Sequence, residues 1–143
     1  MAAASDSGAV LDAPPEAPTL RVLPERAGHR CAGGAHSTVG DGRLVCWQPE
    51  TSARVAVDAE IAAAPVTPAL ARRWGSDDPF SVWPRWCATE CVAKLTDTPI
   101  VLLAQVRPVA VGPLDTPAGR VSWRSDRVGD LVVVRAVLIP RTS

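Results

Sequence analysis

Residues 130–140 read DLVVVRAVLIP, and apart from Arg135 the run beyond its first residue offers water no polar side. A β-strand turns successive side chains to opposite faces, so an apolar residue at nearly every position demands cover on both. The run therefore reads as the central strand of a sheet. The rest of the chain must then supply strands at its edges and layers over its faces. GRVSWRS (119–125) alternates Val121 and Trp123 with Arg120, Ser122 and Arg124. The link DRVGD is a turn, so the two segments form an antiparallel pair.

Other strands follow from the same period. ARVAVDAEIAAA (53–64) alternates and runs into a loop at Pro65, and TLRVLP (19–24) is a short strand ended by Pro24. PIVLLAQVRPVAVG (99–112) is a long β-branched run in which Pro108 marks a bend or an edge. HSTVGDGRLVCWQP (36–49) reads as a hairpin turning at Gly40-Asp41-Gly42. A three-residue loop sets His36 opposite Cys46, whereas a two-residue loop shifts the register by one and puts them on opposite faces.

Two helices are marked. TPALARRWG (67–75) offers Thr67 as N-cap, Pro68 at the first helical position and Gly75 as terminator. The second helix is expected to begin near Pro84, because a proline deeper inside costs about 3 kcal/mol. It would run through RWCATECVAKL to about Thr96, with Ala88, Cys91, Val92 and Leu95 as its apolar stripe and Cys87 on the border. Glu90 and Lys94 form an i,i+4 pair expected on the wet side. Asp77 and Asp78, before Pro79, suit turn or cap chemistry. Residues 1–18 are rich in Ala, Ser, Asp, Pro and Glu, with too little to bury, and read as an extended or disordered N-terminal arm. The expectation is one α+β domain over 19–143, an antiparallel sheet covered by one or two short helices.

Composition narrows the function. The 143 residues carry 15 basic and 15 acidic side chains, a formal net charge of zero, with the basic ones dispersed. Nucleic acid and anionic membranes call for a concentrated positive face, so neither is an expected partner. The N-terminal residues lack the basic and apolar regions of a secretory signal, and no segment is apolar enough to span a bilayer. Fourteen arginines against the single Lys94, no asparagine and no tyrosine are what GC-rich codons produce. An actinobacterium, or a bacteriophage infecting one, is the expected source.

Six side chains have metal-ligating chemistry: His29, Cys31, His36, Cys46, Cys87 and Cys91. In a reducing cytoplasm cysteines are free or metal-bound. A structural zinc held by Cys31, Cys46, Cys87 and Cys91, with His36 or His29 as substitutes, would clip the hairpin to the second helix. Against it stands the absence of a CxxC knuckle; the competing reading packs Cys87 and Cys91 into the core. Zinc is the one cofactor this set can hold, and otherwise none is expected. Nucleobase-deaminase zinc chemistry needs a His/Cys-x-Glu element. Here His29 is followed by Arg30 and Cys31, and Cys31 by Ala32 and Gly33, so that chemistry is excluded. A small Cys/His enzyme built on Cys31 with His29 or His36 is a further alternative. AGGAH and GDG match neither the P-loop nor the dinucleotide fingerprint.

Five tryptophans are present, three of them in RRWGSDDPFSVWPRW. Tryptophan and arginine dominate interface hot spots, so Trp74, Trp83, Trp86, Arg72 and Arg73 are the expected partner-binding surface, with core packing as the alternative. The function expected is that of a non-enzymatic structural or interaction protein. It would be one subunit among others in a larger assembly such as a phage virion (head decoration, connector or tail accessory), oligomeric in context and located in a virion or in cytoplasm.

Overall fold

The computed structural model describes residues 19–24, 31, 34–99 and 112–142. The expected arm at 1–18 lies outside the described residues, as does nearly all of the apolar run at 99–112. In chain order the elements are β1 (Thr19–Leu23), β2 (Ala35–Thr38), β3 (Leu44–Gln48), β4 (Arg54–Ile61), α1 (Pro68–Trp74), α2 (Pro79–Thr96), β5 (Leu114–Thr116), β6 (Gly119–Val128) and β7 (Leu131–Ile139). The fold is α+β with two antiparallel sheets, one of order β1-β3-β2 and one of order β4-β7-β6-β5.

β7 is the interior strand its composition requires, paired to β4 on one side and β6 on the other. Its even-numbered residues Val132, Val134, Ala136 and Leu138 join Ala56 and Val121 on the face covered by α2. Its odd-numbered residues Leu131 and Val133 join Val57 and Ala59 on the opposite face, where Ala35, Val39 and Val45 of the small sheet and its hairpin pack. The result is three layers: small sheet, large sheet, helix. Arg135, the polar exception in the run, stands on the small-sheet face, where its guanidinium bonds Asp126 at 2.6 Å and lies 5.9 Å from the Trp47 ring centre. The end of the large sheet beyond the small one is where a charged group can sit.

The hairpin takes the three-residue loop. Val39 and Arg43 close it through an N–H to carbonyl bond of 2.8 Å, and Gly42 has φ of 93°, a left-handed conformation that favours glycine. That register sets His36 opposite Cys46 and Ser37 opposite Val45. Directly opposed residues share a face, so Val45 and Ser37 look into the layer interface while Cys46 and His36 look away from it. Arg43 then ties the layers together from the hairpin loop. It makes two bonds of 2.7 and 2.9 Å to Asp130 in the β6–β7 turn and a third of 2.8 Å to Asp41.

α1 begins and ends as expected, with Thr67 Oγ1 accepting from the Leu70 N–H and Gly75 left-handed. α2 does not begin at Pro84. It starts five residues earlier, with Asp78 as N-cap accepting from the Phe80 N–H at 3.1 Å and Pro79 at the first helical position. Pro84 lies inside the helix and withdraws one backbone donor. The extra turn is retained because it buries Val82 and Trp83, and the Trp83 indole N–H donates to the Ala64 carbonyl at 2.7 Å. Burial of two such side chains, at about 1.5–3 kcal/mol each, outweighs the proline penalty of about 3 kcal/mol.

Leu131 is fully enclosed at the layer interface, whereas Ile139 eight residues on is exposed. Leu131→Ala should lower the unfolding free energy by about 2–5 kcal/mol. Ile139→Ala should change it by no more than about 0.5 kcal/mol. Equilibrium urea denaturation of the two variants measures the contrast.

Candidate functional site

The cysteines divide by layer. Cys46 faces outward from β3 and is disulfide-bonded to Cys31, with a Cα–Cα distance of 5.7 Å across a sequence separation of 15. Cys87 and Cys91 are free thiols, fully buried on the face of α2 that packs against the large sheet. The four sulfurs therefore do not converge. The tetrathiolate alternative gives way to one covalent pair on the outer side of the small sheet, and Cys87 and Cys91 take the core positions of the packing reading. The alternation of the hairpin is the reason: Val45 takes the inward position, and Cys46 must take the outward one. His36 shares the outer face with Cys46, while His29 lies outside the described residues. Among the described residues no group of three or more His, Cys, Asp or Glu side chains is arranged to hold a metal ion. Cys31, bonded to Cys46, has no thiolate to offer as a nucleophile.

The tryptophan cluster is likewise turned inward. Trp74 and Trp83 are 5% and 7% exposed, and Trp86 is half-buried against the core. Trp86 meets Trp74 edge to face at a centroid distance of 6.1 Å, with Arg85 5.3 Å from the centre of the Trp74 ring. Only Arg72 and Arg73 of the expected surface are exposed. Helix spacing puts the rings of one stretch on the buried stripe as readily as on the wet one, and here the sheet claims them.

Two other places gather chemistry. The first is a concavity of about 330 Å³ at the end of the large sheet that the small sheet leaves bare. Its lining includes Trp47, Ser122, Arg124, Arg135 and Val137, with Trp123 and Ala136 of the same strands, whose side chains belong to the α2 face. The Trp47 indole N–H is buried and has no acceptor among the described residues. Arg124 is 78% exposed along its side chain. This hollow was passed over because Trp47 and Arg124 are distant in the chain; only the packing of the two sheets brings them to one place.

The second place is the edge of β4. Asp58 is 4% exposed on the helix side of the sheet, yet Ser37 Oγ of β2 donates to its Oδ1 at 2.7 Å. Lys94 Nζ of α2 lies 3.5 Å from the same oxygen and donates to the Val57 carbonyl at 2.9 Å. Glu90 stands one turn before Lys94 on α2. Burial, reinforced by the Asp58 charge and hydrogen bond, pushes the Glu90 carboxyl up to about 7. Burial also raises Glu60 on the same strand. Burial raises the thiols of Cys87 and Cys91, and the neighbouring Asp58 charge adds to both. Lys94 is exposed, as the i,i+4 reading expects, and its ammonium group also reaches the Val57 carbonyl and Asp58 at the sheet edge, while Glu90 is half-buried.

Comparison of the chain with protein-family models, with curated proteins and with solved structures found no match. The described helices include none long and apolar enough to cross a membrane.

Thiol counting tests the cysteine assignment. The unfolded, unreduced chain should show two reactive thiols and the reduced chain four, whereas the native protein at neutral pH should show almost none. Replacing both Cys31 and Cys46 by serine should cost about 3 kcal/mol of stability, the value for a closed loop of this length.

Proposed function

We propose that this chain is a non-enzymatic interaction protein, a subunit of a larger assembly such as a bacteriophage virion, and that it engages neighbouring subunits through the hollow beside Trp47. The observation that carries this reading is the composition of that hollow. The Trp47 indole lies beside the Arg135 guanidinium with Arg124 opposite Arg135 on the same face, and the buried Trp47 N–H still lacks an acceptor among the described residues. Aromatic rings and arginine give interface hot spots their large contact area and directional hydrogen bonds. An acceptor from a partner would complete Trp47, and an acidic or carbonyl group would suit Arg124.

The Cys31–Cys46 disulfide supports the same setting. Disulfides persist on secreted proteins and virion surfaces, whereas a reducing cytoplasm keeps thiols free. For an enzyme, the thiols would need to be accessible and lowered. Cys87 and Cys91 are buried and raised, and Cys31 and Cys46 are oxidised.

Sedimentation velocity of the full chain over a concentration series tests the reading. Association that increases with concentration, and that is lost in Arg124→Glu with no change in thermal midpoint, supports it. A monomer at every concentration, together with an Arg124→Glu variant indistinguishable from it, counts against it.

A further inference from the structure

The small sheet lies along the large one in a definite sense. Arg43, just before β3, is bonded to Asp130, just before β7, and Trp47 further along β3 stands beside Arg135 further along β7. β3 and β7 therefore advance together. Ser37 of β2 meets Asp58 of β4, so the order β1-β3-β2 follows the order β6-β7-β4, and β1 falls on the side of β6. β1 runs antiparallel to β3, with Thr19 opposite Gln48 and Leu20 opposite Trp47. Followed back to its start, β1 thus leads to the level of Arg135 and of Arg124, which is opposite Arg135 on β6. The residues before Thr19 are delivered to the hollow.

Donors gather at that place and acceptors do not. Arg135 bonds Asp126 at 2.6 Å, and Arg124 lies 3.8 Å from the same carboxylate. One carboxylate between two guanidinium groups leaves a positive charge unmatched among the described residues. It falls on Arg124, the more exposed of the two. The Trp47 indole N–H adds a donor without an acceptor. The residues ahead of β1 have the opposite chemistry. Residues 1–18 hold Asp6, Asp12 and Glu16 and no basic side chain. Residues 14–18 read PPEAP, and proline has a carbonyl but no N–H, so the stretch offers acceptors with few donors. Leu20 shares the face of Trp47, and alternation continued from it would bring Pro18 and then Glu16 to that face. The three residues from Glu16 to Thr19 span at most about 11 Å.

We propose that residues 14–18 dock in the hollow of their own chain, with Glu16 paired to Arg124 and a carbonyl of the proline stretch accepting from the Trp47 indole N–H. Proline-rich segments suit aromatic-lined grooves because their extended backbone is set before they bind. The segment's own chain is favoured over a neighbouring copy, because so short a tether gives a local concentration on the order of millimolar. The Glu16–Arg124 pair is exposed to solvent, so salt releases it. The docking goes beyond the partner-binding reading and does not depend on it. Where that reading also holds, the segment is the competitor that a neighbouring subunit displaces.

NMR of the full chain, over a dilution series that ends in monomer by sedimentation, tests the docking. In the native chain the Trp47 indole N–H should show nuclear Overhauser contacts to Pro14, Pro15 or Pro18. Glu16→Arg should abolish them and shift the indole resonance. Asp6→Arg, the same charge change outside the stretch, should leave both as they are in the native chain. Salt at about 1 M, where the screening length is about 3 Å, should reproduce the Glu16→Arg spectrum in the native chain. Absence of the contacts from the native chain, or an indole resonance unmoved by Glu16→Arg, overturns the proposal. Contacts that vanish on dilution overturn it too, in favour of the same segment reaching from a second copy. A chain that is monomeric at every concentration yet keeps the contacts sustains the docking and counts against the partner reading alone. Association without the contacts removes the docking and leaves that reading in place.

Discussion

A strand with apolar residues on both faces cannot sit at a surface, and the placement of β7 governs this molecule. Both of its faces must be covered, and two short helices on one side would leave the other wet. The N-terminal third of the chain solves the problem by forming a second sheet that packs Ala35, Val39 and Val45 onto Val57, Leu131 and Val133. α2 closes the other face with Val92 and Leu95 among its contacts. Hydrophobic burial is non-directional, however, and would allow these layers to slide. Directional contacts set their positions: the paired bonds of Arg43 to Asp130 at one end, and the Ser37–Asp58–Lys94 contacts at the β4 edge.

Those polar contacts also explain where chemistry is and is not found. β4 is an edge strand of the large sheet, and an open edge presents backbone groups that need partners. Lys94 covers one of them at Val57, and its ammonium group stays near Asp58 in consequence. Away from that edge a hollow gathers the Trp47 indole with the Arg124 and Arg135 guanidinium groups.

Much of the architecture was legible from local pattern. The caps of α1, the strands β1, β4, β6 and β7, and the buried stripe of α2 follow from period, N-cap chemistry and glycine placement. The start of α2 was misjudged because Pro84 is a strong local stop signal, while the contacts that outweigh it, Trp83 on Ala64 and Val82 in the core, are long-range. Lys94 is exposed as its i,i+4 spacing suggests, but that spacing speaks only about neighbours on one helix and could not show its reach to the sheet. Nothing in the helix announces that Asp58, more than thirty residues earlier, waits across the interface. Core packing of Cys87 and Cys91 was legible from the stripe of α2, whereas the Cys31–Cys46 pairing was not, since the hairpin register was open between two loop lengths and the position of Cys31 relative to Cys46 is a matter of three dimensions.

Sequence alone determined the class of fold, the centrality of β7, the two helices and the formal net charge of zero. Each of these depends on periodicity or totals, which are properties of neighbours along the chain. Tertiary structure decided that the cover for β7 is split between a helix and a second sheet, that Cys46 bonds Cys31 rather than approaching Cys87 and Cys91, and that Lys94 meets Asp58. These outcomes depend on which faces meet across layers. A one-residue change in register reverses a face, and only the summed packing of both cores selects among the alternatives.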